Sequence, residues 1–181
     1  MKKLVIGMVG YANSGKSTIS RNYQWKYGSS KIRGFSEPLY EILNIIGVDQ
    51  KFIDDKLLRE IPHPALGGKT PIDALISLGT DWGREMIHED IWVNITERRI
   101  NDGITFIENV RFQNEADIVR RHGGILVYID NKELVPKLER KSEQYIATLK
   151  EQCEYTIDIL PNTTEDETTE KMRAIINERY V

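Results

Sequence analysis

Residues 10–17 of the chain read Gly-Tyr-Ala-Asn-Ser-Gly-Lys-Ser and directly follow a short apolar run at residues 4–9. The spacing of the two glycines, the lysine and the serine is the full pattern of a phosphate-binding loop. Glycine lets the backbone curl so that successive N–H groups point into one concavity, and the helix that follows adds the positive end of its dipole. The alternative, a glycine-rich turn with an incidental lysine, is disfavoured because a predicted strand precedes the loop and a predicted helix follows it. These residues therefore predict a site for the phosphate chain of a nucleotide.

Two side chains of this loop have roles that follow from their chemical type. The Lys16 ammonium is expected to reach the β- and γ-phosphates, and the Ser17 hydroxyl is expected to hold Mg²⁺. We therefore predict ATP and Mg²⁺ as cofactors. The residues expected to surround the ATP phosphates are Gly10, Ala12, Asn13, Ser14, Gly15, Lys16, Ser17 and Thr18.

A carboxylate follows another apolar run, residues 104–107, and is a second candidate for the metal site. Glu108 stands directly after this run. An acidic residue at such a strand end usually orients the water shell of Mg²⁺ opposite the loop serine. The competing interpretation is that Glu108 caps the helix predicted from residue 113 onwards. The sequence favours the metal role, so Ser17 and Glu108 are the predicted metal ligands.

Arginine binds phosphate in a fixed, bidentate geometry, and three arginines stand where such binding is useful. Arg111 lies just past the strand that Glu108 ends, and Arg84 follows a segment of small residues that also contains Trp82. Arg140, next to Lys141, belongs to a charged region that could close over the transferred group. A solvated surface charge is the ordinary alternative for any single arginine. With Lys16, these three arginines are the predicted catalytic residues, and Trp82 is the tryptophan placed to stack on a base.

The elements that must position these side chains form an alternating pattern. Apolar runs that predict strands occur at residues 4–9, 31–35, 104–107, 125–129 and 155–160. Helical patterns separate them, which predicts a parallel sheet covered by helices on both faces. In such sheets ligands bind beyond the carboxyl ends of the strands. The loop at Gly10 and the carboxylate of Glu108 are therefore expected to face the same crevice.

Helical patterns are expected at residues 15–27, 37–46, 90–101, 113–121, 132–152 and 164–179, with another beginning at Thr70-Pro71-Ile72-Asp73. In the helix that begins at Thr70, this threonine is the N-cap and Pro71 takes the first helical position. Ile72, Leu75, Ile76 and Gly79 are predicted to lie along one face of that helix. Residues 49–69 are interpreted as a flexible excursion. Trp25, Trp82 and Trp92 are expected in the core, because large aromatic side chains dominate burial.

Composition excludes several other classes of protein. The chain has 181 residues, which fits one domain, and a net charge of −3 with both signs intermixed, which disfavours binding to a nucleic acid backbone. Its single cysteine, Cys153, allows no internal disulfide and is expected to be a packed, unreactive thiol. No segment approaches the roughly 18 apolar residues of a membrane span. These features predict a cytoplasmic protein.

The chain resembles the deoxynucleoside monophosphate kinases encoded by bacteriophages and, more distantly, dephospho-CoA kinase and the adenylate kinase group. The resemblance runs nearly end to end. It rests on the loop at residues 10–17 and on the blocks Phe35-Ser36-Glu37-Pro38-Leu39, Leu78-Gly79-Thr80-Asp81-Trp82-Gly83-Arg84, Asp90-Ile91-Trp92-Val93 and Asn109-Val110-Arg111-Phe112-Gln113-Asn114-Glu115-Ala116, with Gly123-Gly124. The phosphate loop alone is generic. The last two blocks are far more specific to these kinases.

The resemblance implies an α/β, three-layer P-loop NTPase fold with a five-stranded parallel sheet flanked by helices. It implies one kinase domain over residues 1–181, with a substrate-binding helical excursion around 36–100 and a lid around 132–152. The implied reaction moves a phosphoryl group from ATP to a deoxynucleoside monophosphate. Phe35, Leu39, Trp82, Arg84 and Arg111 are then the expected acceptor-binding residues. Ser142-Glu143 matches a pair associated with the lid.

Two positions depart from the family pattern, and three other functions stay open. Asn109 stands where the family usually has aspartate, so either Glu108 or Asn109 serves the metal shell. Arg140 stands where the family often has histidine. The other functions are a nucleotide-dependent switch or assembly ATPase, a non-catalytic nucleotide-binding module, and a small-molecule kinase similar to dephospho-CoA kinase, in which Asp81 or Glu37 would be the base. A small nucleotide is the expected partner, and the expected state is a monomer or homodimer.

Overall fold

The computed structural model describes residues 3–135 and 144–180. The chain divides into two compact units. One, here called the sheet unit, comprises residues 1–34 and 99–181, and the other, the helical unit, comprises residues 35–98. Within the described residues, none of the helices has the length and apolar character needed to cross a membrane.

The strands and helices follow one another much as the periodicity predicts. The strands are β1 (Lys3–Val9), β2 (Ser30–Gly34), β3 (Gly103–Val110), β4 (Ile125–Asn131) and β5 (Tyr155–Ile159). The helices are α1 (Lys16–Tyr27), α2 (Glu37–Ile46), α3 (Gln50–Asp54), α4 (Pro71–Ile76), α5 (Ile91–Arg98), α6 (Gln113–Arg121), α7 (Ile146–Lys150) and α8 (Glu165–Tyr180). A π-helical segment, Ser77–Ile87, follows α4 without a break.

The described strands of the sheet unit form one parallel sheet in the order β2-β3-β1-β4-β5. β1 is therefore central, and it is almost wholly buried because helices cover both faces of the sheet. Leu4, Ile6 and Met8 pack on one face in a cluster that contains Ile19 of α1 and Met172 of α8. Truncating a core side chain of this kind to alanine costs about 2–5 kcal/mol.

The opposite face of β1 packs against α6. A Cβ atom at Gly7 would lie 2.8 Å from Val119 of α6 and 2.7 Å from Leu126 of β4, so a side chain has no room there. Helix, sheet and helix thus form three layers, and the predicted α/β fold is confirmed. The central position of β1 also places the loop that follows it at the carboxyl edge of the sheet, where ligands bind in this architecture.

The helical unit has an apolar core of its own, formed by Leu39, Leu43, Val48, Ile53, Leu75 and Trp92. The predicted start of α4 is confirmed: the Asp73 N–H donates to the Thr70 hydroxyl oxygen, and the Asp73 carboxylate accepts from the Thr70 N–H. Residues 49–69, interpreted from the sequence as a flexible excursion, are partly helical. They contain α3 and two short 3₁₀ turns, Leu58–Glu60 and Pro64–Leu66, and Ile53 is fully buried.

The prediction that Trp25 lies in the core is wrong, for a reason of helical phase. Trp25 is 88% exposed, because the buried stripe of α1 runs through Ile19 and Tyr23 and leaves Trp25 outside it. Ile76 is 56% exposed. The wider π-helical turn begins at the next residue. Leu75 is buried in α4, and Gly79 and Gly83 are the buried residues of the π-helical segment.

Candidate phosphate-binding and active site

The loop between β1 and α1 has the backbone that its glycines predict. Gly10, Asn13 and Gly15 all have positive φ angles, of 152°, 65° and 99°. A Cβ atom at Gly10 would lie 2.7 Å from the Ser14 hydroxyl and 2.8 Å from the Ile129 carbonyl oxygen, so this position requires glycine. The loop therefore closes tightly on itself and leads directly into the first turn of α1, where the helix dipole favours an anion.

Lys16, the first residue of α1, lies with its side chain against this loop. Its ammonium donates to the carbonyl oxygens of Gly10 and Tyr11, at 2.7 Å each, and to the Ser14 hydroxyl at 3.2 Å. The side chain is buried, and a buried charge requires such partners. These contacts hold the positive charge of Lys16 against the loop that is expected to bind phosphate.

The structure brings Ser17 and Glu108 together, as the crevice prediction requires. The Ser17 hydroxyl donates to Glu108 Oε2 at 2.9 Å, and the Ser20 hydroxyl donates to Glu108 Oε1. The pair offers the hard oxygen atoms that Mg²⁺ prefers, close to the loop that would hold the phosphates. Asn109 is exposed, so of the two candidates for the metal shell only Glu108 contacts the loop helix in the described contacts.

The start of α6 is capped by Glu115, a residue that the sequence analysis did not single out, and not by Glu108. Glu115, at the third position of α6, is buried and accepts hydrogen bonds from the N–H groups of Arg111, at 2.8 Å, and Phe112, at 3.3 Å. A glutamate three residues after the N-cap was the available signal. Glu115 thereby fixes the backbone of Arg111, which directly follows β3.

A cavity of about 150 Å³ lies beside the phosphate loop. Its lining combines two predicted ATP-binding residues, Gly15 and Thr18, with side chains from later in the chain. The lining residues are Gly15, Thr18, Ile19, Asn131, Ile159, Thr163, Thr164, Glu165 and Thr168. Sequence analysis missed those from Asn131 onwards, because nothing in their local pattern marks them and only the order of the strands brings them to Thr18.

Charged side chains link the described parts of the predicted lid to β4. Asp130 accepts from Lys132 at 2.6 Å and from Lys150 at 3.0 Å. Although partial burial opposes ionisation, the two ammonium groups hold the pKa of Asp130 below its usual value. The predicted catalytic residue Arg140, together with Lys141, Ser142 and Glu143, lies outside the described residues. The lid around 132–152 stays a prediction.

Cys153 has the properties of the unreactive thiol that the sequence predicts. Burial raises its pKa to about 12, and its thiol group contacts the Leu149 carbonyl oxygen at 3.2 Å. The thiol therefore stays protonated at neutral pH, and a role as nucleophile is disfavoured.

In the helical unit, Trp92 forms a hydrogen bond to the π-helical segment. The Trp92 indole N–H donates to the Gly79 carbonyl oxygen at 2.8 Å, and the Trp82 ring lies 6.2 Å from the Trp92 ring, centroid to centroid. Trp82 itself is 42% exposed, so the prediction of a core position for it is wrong. Stacking of its ring on a base stays a prediction. Arg84 is half-buried, and its guanidinium donates to the Glu89 carbonyl oxygen at 3.1 Å.

The other two predicted acceptor-binding residues, Phe35 and Leu39, are buried. Leu39 belongs to the core of the helical unit and lies against Gly79 of the π-helical segment. Direct contact of these side chains with an acceptor stays a prediction, as does the action of Arg84 and Arg111 on the same phosphate.

Gly83→Ala should destabilise the protein by about 1–3 kcal/mol, because a Cβ atom there overpacks the core. That atom would lie 2.5–2.7 Å from three atoms of the Trp92 indole, which would have to leave its hydrogen bond to Gly79. Urea denaturation measures the change in the free energy of unfolding. Gly34→Ala is the control, since a Cβ atom at Gly34 meets no atom within 4 Å and the change should stay within about 0.5 kcal/mol. Equal stabilities for the two variants would contradict the tight packing at Gly83.

Comparison with known proteins gives two curated relatives. A deoxynucleotide monophosphate kinase of Acanthamoeba polyphaga mimivirus is 26% identical over 180 residues, which cover 91% of each chain. The deoxynucleoside-5′-monophosphate kinase of Escherichia phage T5 is 30% identical over 109 residues, which cover 56% of this chain and 40% of that protein. No protein-family model matches the chain.

Two solved structures with a similar fold are those of kinases. The shikimate kinase of Bacteroides thetaiotaomicron aligns over 96% of this chain with a TM-score of 0.53 and 11% identity, covering 98% of that structure. The dephospho-CoA kinase of Campylobacter jejuni aligns over 99% of this chain with a TM-score of 0.50 and 13% identity, covering 98% of that structure. At such identities the likeness concerns the fold alone, and that fold is the one of the P-loop kinases.

The fold and the loop together are similar to those of the P-loop kinases. The more particular resemblance to deoxynucleoside monophosphate kinases, based on sequence blocks, is confirmed by the two viral relatives.

Proposed function

We propose that this protein is an ATP-dependent kinase that transfers the γ-phosphoryl group of ATP to a deoxynucleoside monophosphate, giving the diphosphate and ADP. The observation that carries the proposal is the phosphate loop with its buried Lys16 and the adjoining Ser17–Glu108 pair. The names of both curated relatives support the choice of acceptor.

On the donor side, loop N–H groups and Lys16 bind the phosphates of ATP. The cavity lined by Thr18, Asn131 and Thr163 adjoins the loop and lies where the rest of the donor nucleotide would continue. Ser17 and Glu108 would hold Mg²⁺ directly or through its water shell, and the bound ion would neutralise charge on the phosphate oxygens.

On the acceptor side, Arg84 and Arg111 bind the phosphate of the monophosphate and hold it in line with the γ-phosphorus atom. They also neutralise the charge that develops between the two nucleotides. The attacking oxygen belongs to a phosphate and is already anionic, so the reaction requires no general base. Catalysis then depends on positioning and electrostatic stabilisation. Exclusion of water protects ATP from hydrolysis, and closure of the segment that contains Arg140 would serve this purpose.

A panel of acceptors tests the proposal. The four deoxynucleoside monophosphates, the ribonucleoside monophosphates, dephospho-CoA and shikimate are each incubated with ATP and Mg²⁺, and ADP is measured by a coupled assay. We expect ADP formation above the no-acceptor rate with at least one deoxynucleoside monophosphate, and chromatography should then detect the matching diphosphate.

The same panel separates the alternatives. Stimulation by dephospho-CoA or shikimate alone would identify a small-molecule kinase and overturn the proposal. ADP and phosphate formed equally without any acceptor would indicate a switch or assembly ATPase. We further propose that the enzyme acts in the cytoplasm as a monomer or homodimer, which sedimentation analysis would distinguish.

A further inference from the structure

The carboxylate of Glu108 is held at both oxygens, and only one of the two contacts involves a residue of the phosphate-loop pattern. Ser17 is the last residue of that pattern and donates to Oε2 at 2.9 Å. The second donor, to Oε1, is Ser20, which no sequence motif marks. Ser20 is fully buried, so its hydroxyl is shielded from water.

Helix geometry explains how two serines reach the same carboxylate. Ser17 and Ser20 are three residues apart on α1, and side chains at this spacing lie on the same face of a helix, one turn apart. The Ser20 hydroxyl lies within hydrogen-bond distance of two acceptors, Glu108 Oε1 and the Ser17 carbonyl oxygen at 3.2 Å. Hydrogen bonds to ionised acceptors are roughly twice as strong as neutral ones, so the carboxylate is the stronger partner.

The strand that carries Glu108 is shaped to meet these serines. β1 and β3 pair regularly as far as Gly7 and Ile107, and pairing resumes at Val9 and Val110, one residue out of register. Asn109 lies in this irregularity with a φ of 60°, in the left-handed region that asparagine tolerates better than most residues. A bulge of this kind re-aims the neighbouring side chain. Here that side chain is Glu108, which points at α1.

We propose that Ser20 is a positioning residue for the metal site: it holds the second oxygen of Glu108, so that the first oxygen is aligned with the Ser17 hydroxyl and the Mg²⁺ shell. This inference rests on the proposed function, in which Ser17 and Glu108 serve the metal. Both hydroxyl donors are neutral, so they orient the carboxylate without cancelling its charge. Groups that orient metal ligands in this way typically change metal affinity 10–100-fold when they are removed.

Ser20→Ala is the principal test. Alanine is the better helix former, which favours retention of the fold. The probe is Mn²⁺ binding to the protein–ADP complex, followed by electron paramagnetic resonance, which requires no turnover. We expect Mn²⁺ to bind about 10-fold more weakly than in the wild type, and the Mg²⁺ concentration for half-maximal kinase activity to rise by the same factor.

Two further variants separate the positioning of Glu108 by Ser20 from a general loss of protein stability. Ser20→Thr keeps the hydroxyl donor but adds a methyl group at a fully buried position, so it should lower the melting temperature while leaving Mn²⁺ affinity at the wild-type value. Thr169→Val is the matched control on α8: it removes a buried hydroxyl that donates to the Glu165 carbonyl oxygen at 2.7 Å, a helix contact without a carboxylate. Its Mn²⁺ affinity should also equal that of the wild type.

Unchanged Mn²⁺ affinity in Ser20→Ala would overturn the proposal, and so would an equal loss of affinity in Thr169→Val. If Ser20→Ala does not fold, Ser20→Cys gives the answer by another route, because a thiol is a much weaker hydrogen-bond donor than a hydroxyl; weaker Mn²⁺ binding supports the proposal, and unchanged binding overturns it. Failure of the proposed function has a different signature: the wild type would bind Mn²⁺–ADP but phosphorylate no deoxynucleoside monophosphate.

Discussion

Replacing Lys16 with alanine should lower kcat for phosphoryl transfer by at least about 10³-fold, because it removes the positive charge that meets the transferred group. In the structure the ammonium is held by the carbonyl oxygens of Gly10 and Tyr11, which are part of the loop itself. Alanine cannot reach a phosphate from this position, and neither water nor another side chain in the loop supplies the charge. Steady-state rates of ADP formation, measured with saturating ATP and acceptor, give the ratio.

Stability must be measured alongside the rate, because Lys16 is buried and its bonds join three groups of the loop. Lys16→Met keeps an unbranched stem of similar length and should be equally inactive while retaining a melting temperature near that of the wild type. Lys26→Ala is the control on the same helix. It removes an exposed cation that pairs with Asp166 and Glu170, and its kcat should equal that of the wild type. Turnover by a folded Lys16→Met protein at the wild-type rate would refute the kinase assignment.

The features that could be predicted from the sequence are those that depend on neighbouring residues along the chain. The loop at residues 10–17 needs glycine at two positions because of its backbone angles, and such a need is visible in the residue types themselves. The strands could be predicted because a parallel strand buried on both faces must be continuously apolar. The start of α4 could be predicted because the cap at Thr70 is a short-range interaction.

The parts that could not be predicted depend on phase or on distant contacts. Trp25 was assigned to the core from its size, whereas its exposure depends on the rotation of α1 relative to the sheet. Ser20 is an ordinary helical serine until β3 places Glu108 beside it, 88 positions further along the chain. Likewise, Asn131 and Thr163 line a cavity with Thr18 only because β4 and β5 follow β1 in the sheet.

The role of Arg111 gives the second large effect. Arg111→Ala should lower kcat/KM for the acceptor by about 10³-fold, the lower end of the effect of a catalytic arginine in phosphoryl transfer, while KM for ATP changes little. Two features fix the backbone of this arginine: it directly follows β3, and its own N–H donates a hydrogen bond to Glu115. A guanidinium held from a fixed backbone can meet two phosphate oxygens at once. Arg111→Lys should therefore recover only a small part of the lost rate, since an ammonium is a point charge without the bidentate geometry.

Arg120→Ala separates this role from a general effect of positive charge near α6. Arg120 lies at the exposed end of the same helix, where it donates to the Gln152 side chain at 3.0 Å and to the Gln152 carbonyl oxygen at 3.1 Å. Its loss removes the same charge from the protein without touching the carboxyl edge of β3, so kcat/KM for the acceptor should stay at the wild-type value. If Arg111→Lys were as active as the wild type, the arginine would act as a charge alone, and in-line positioning of the acceptor would have to come from the helical unit. If Arg120→Ala were as impaired as Arg111→Ala, the arginines would act by long-range attraction of the anionic acceptor and not by direct contact. Added salt would then weaken their effect.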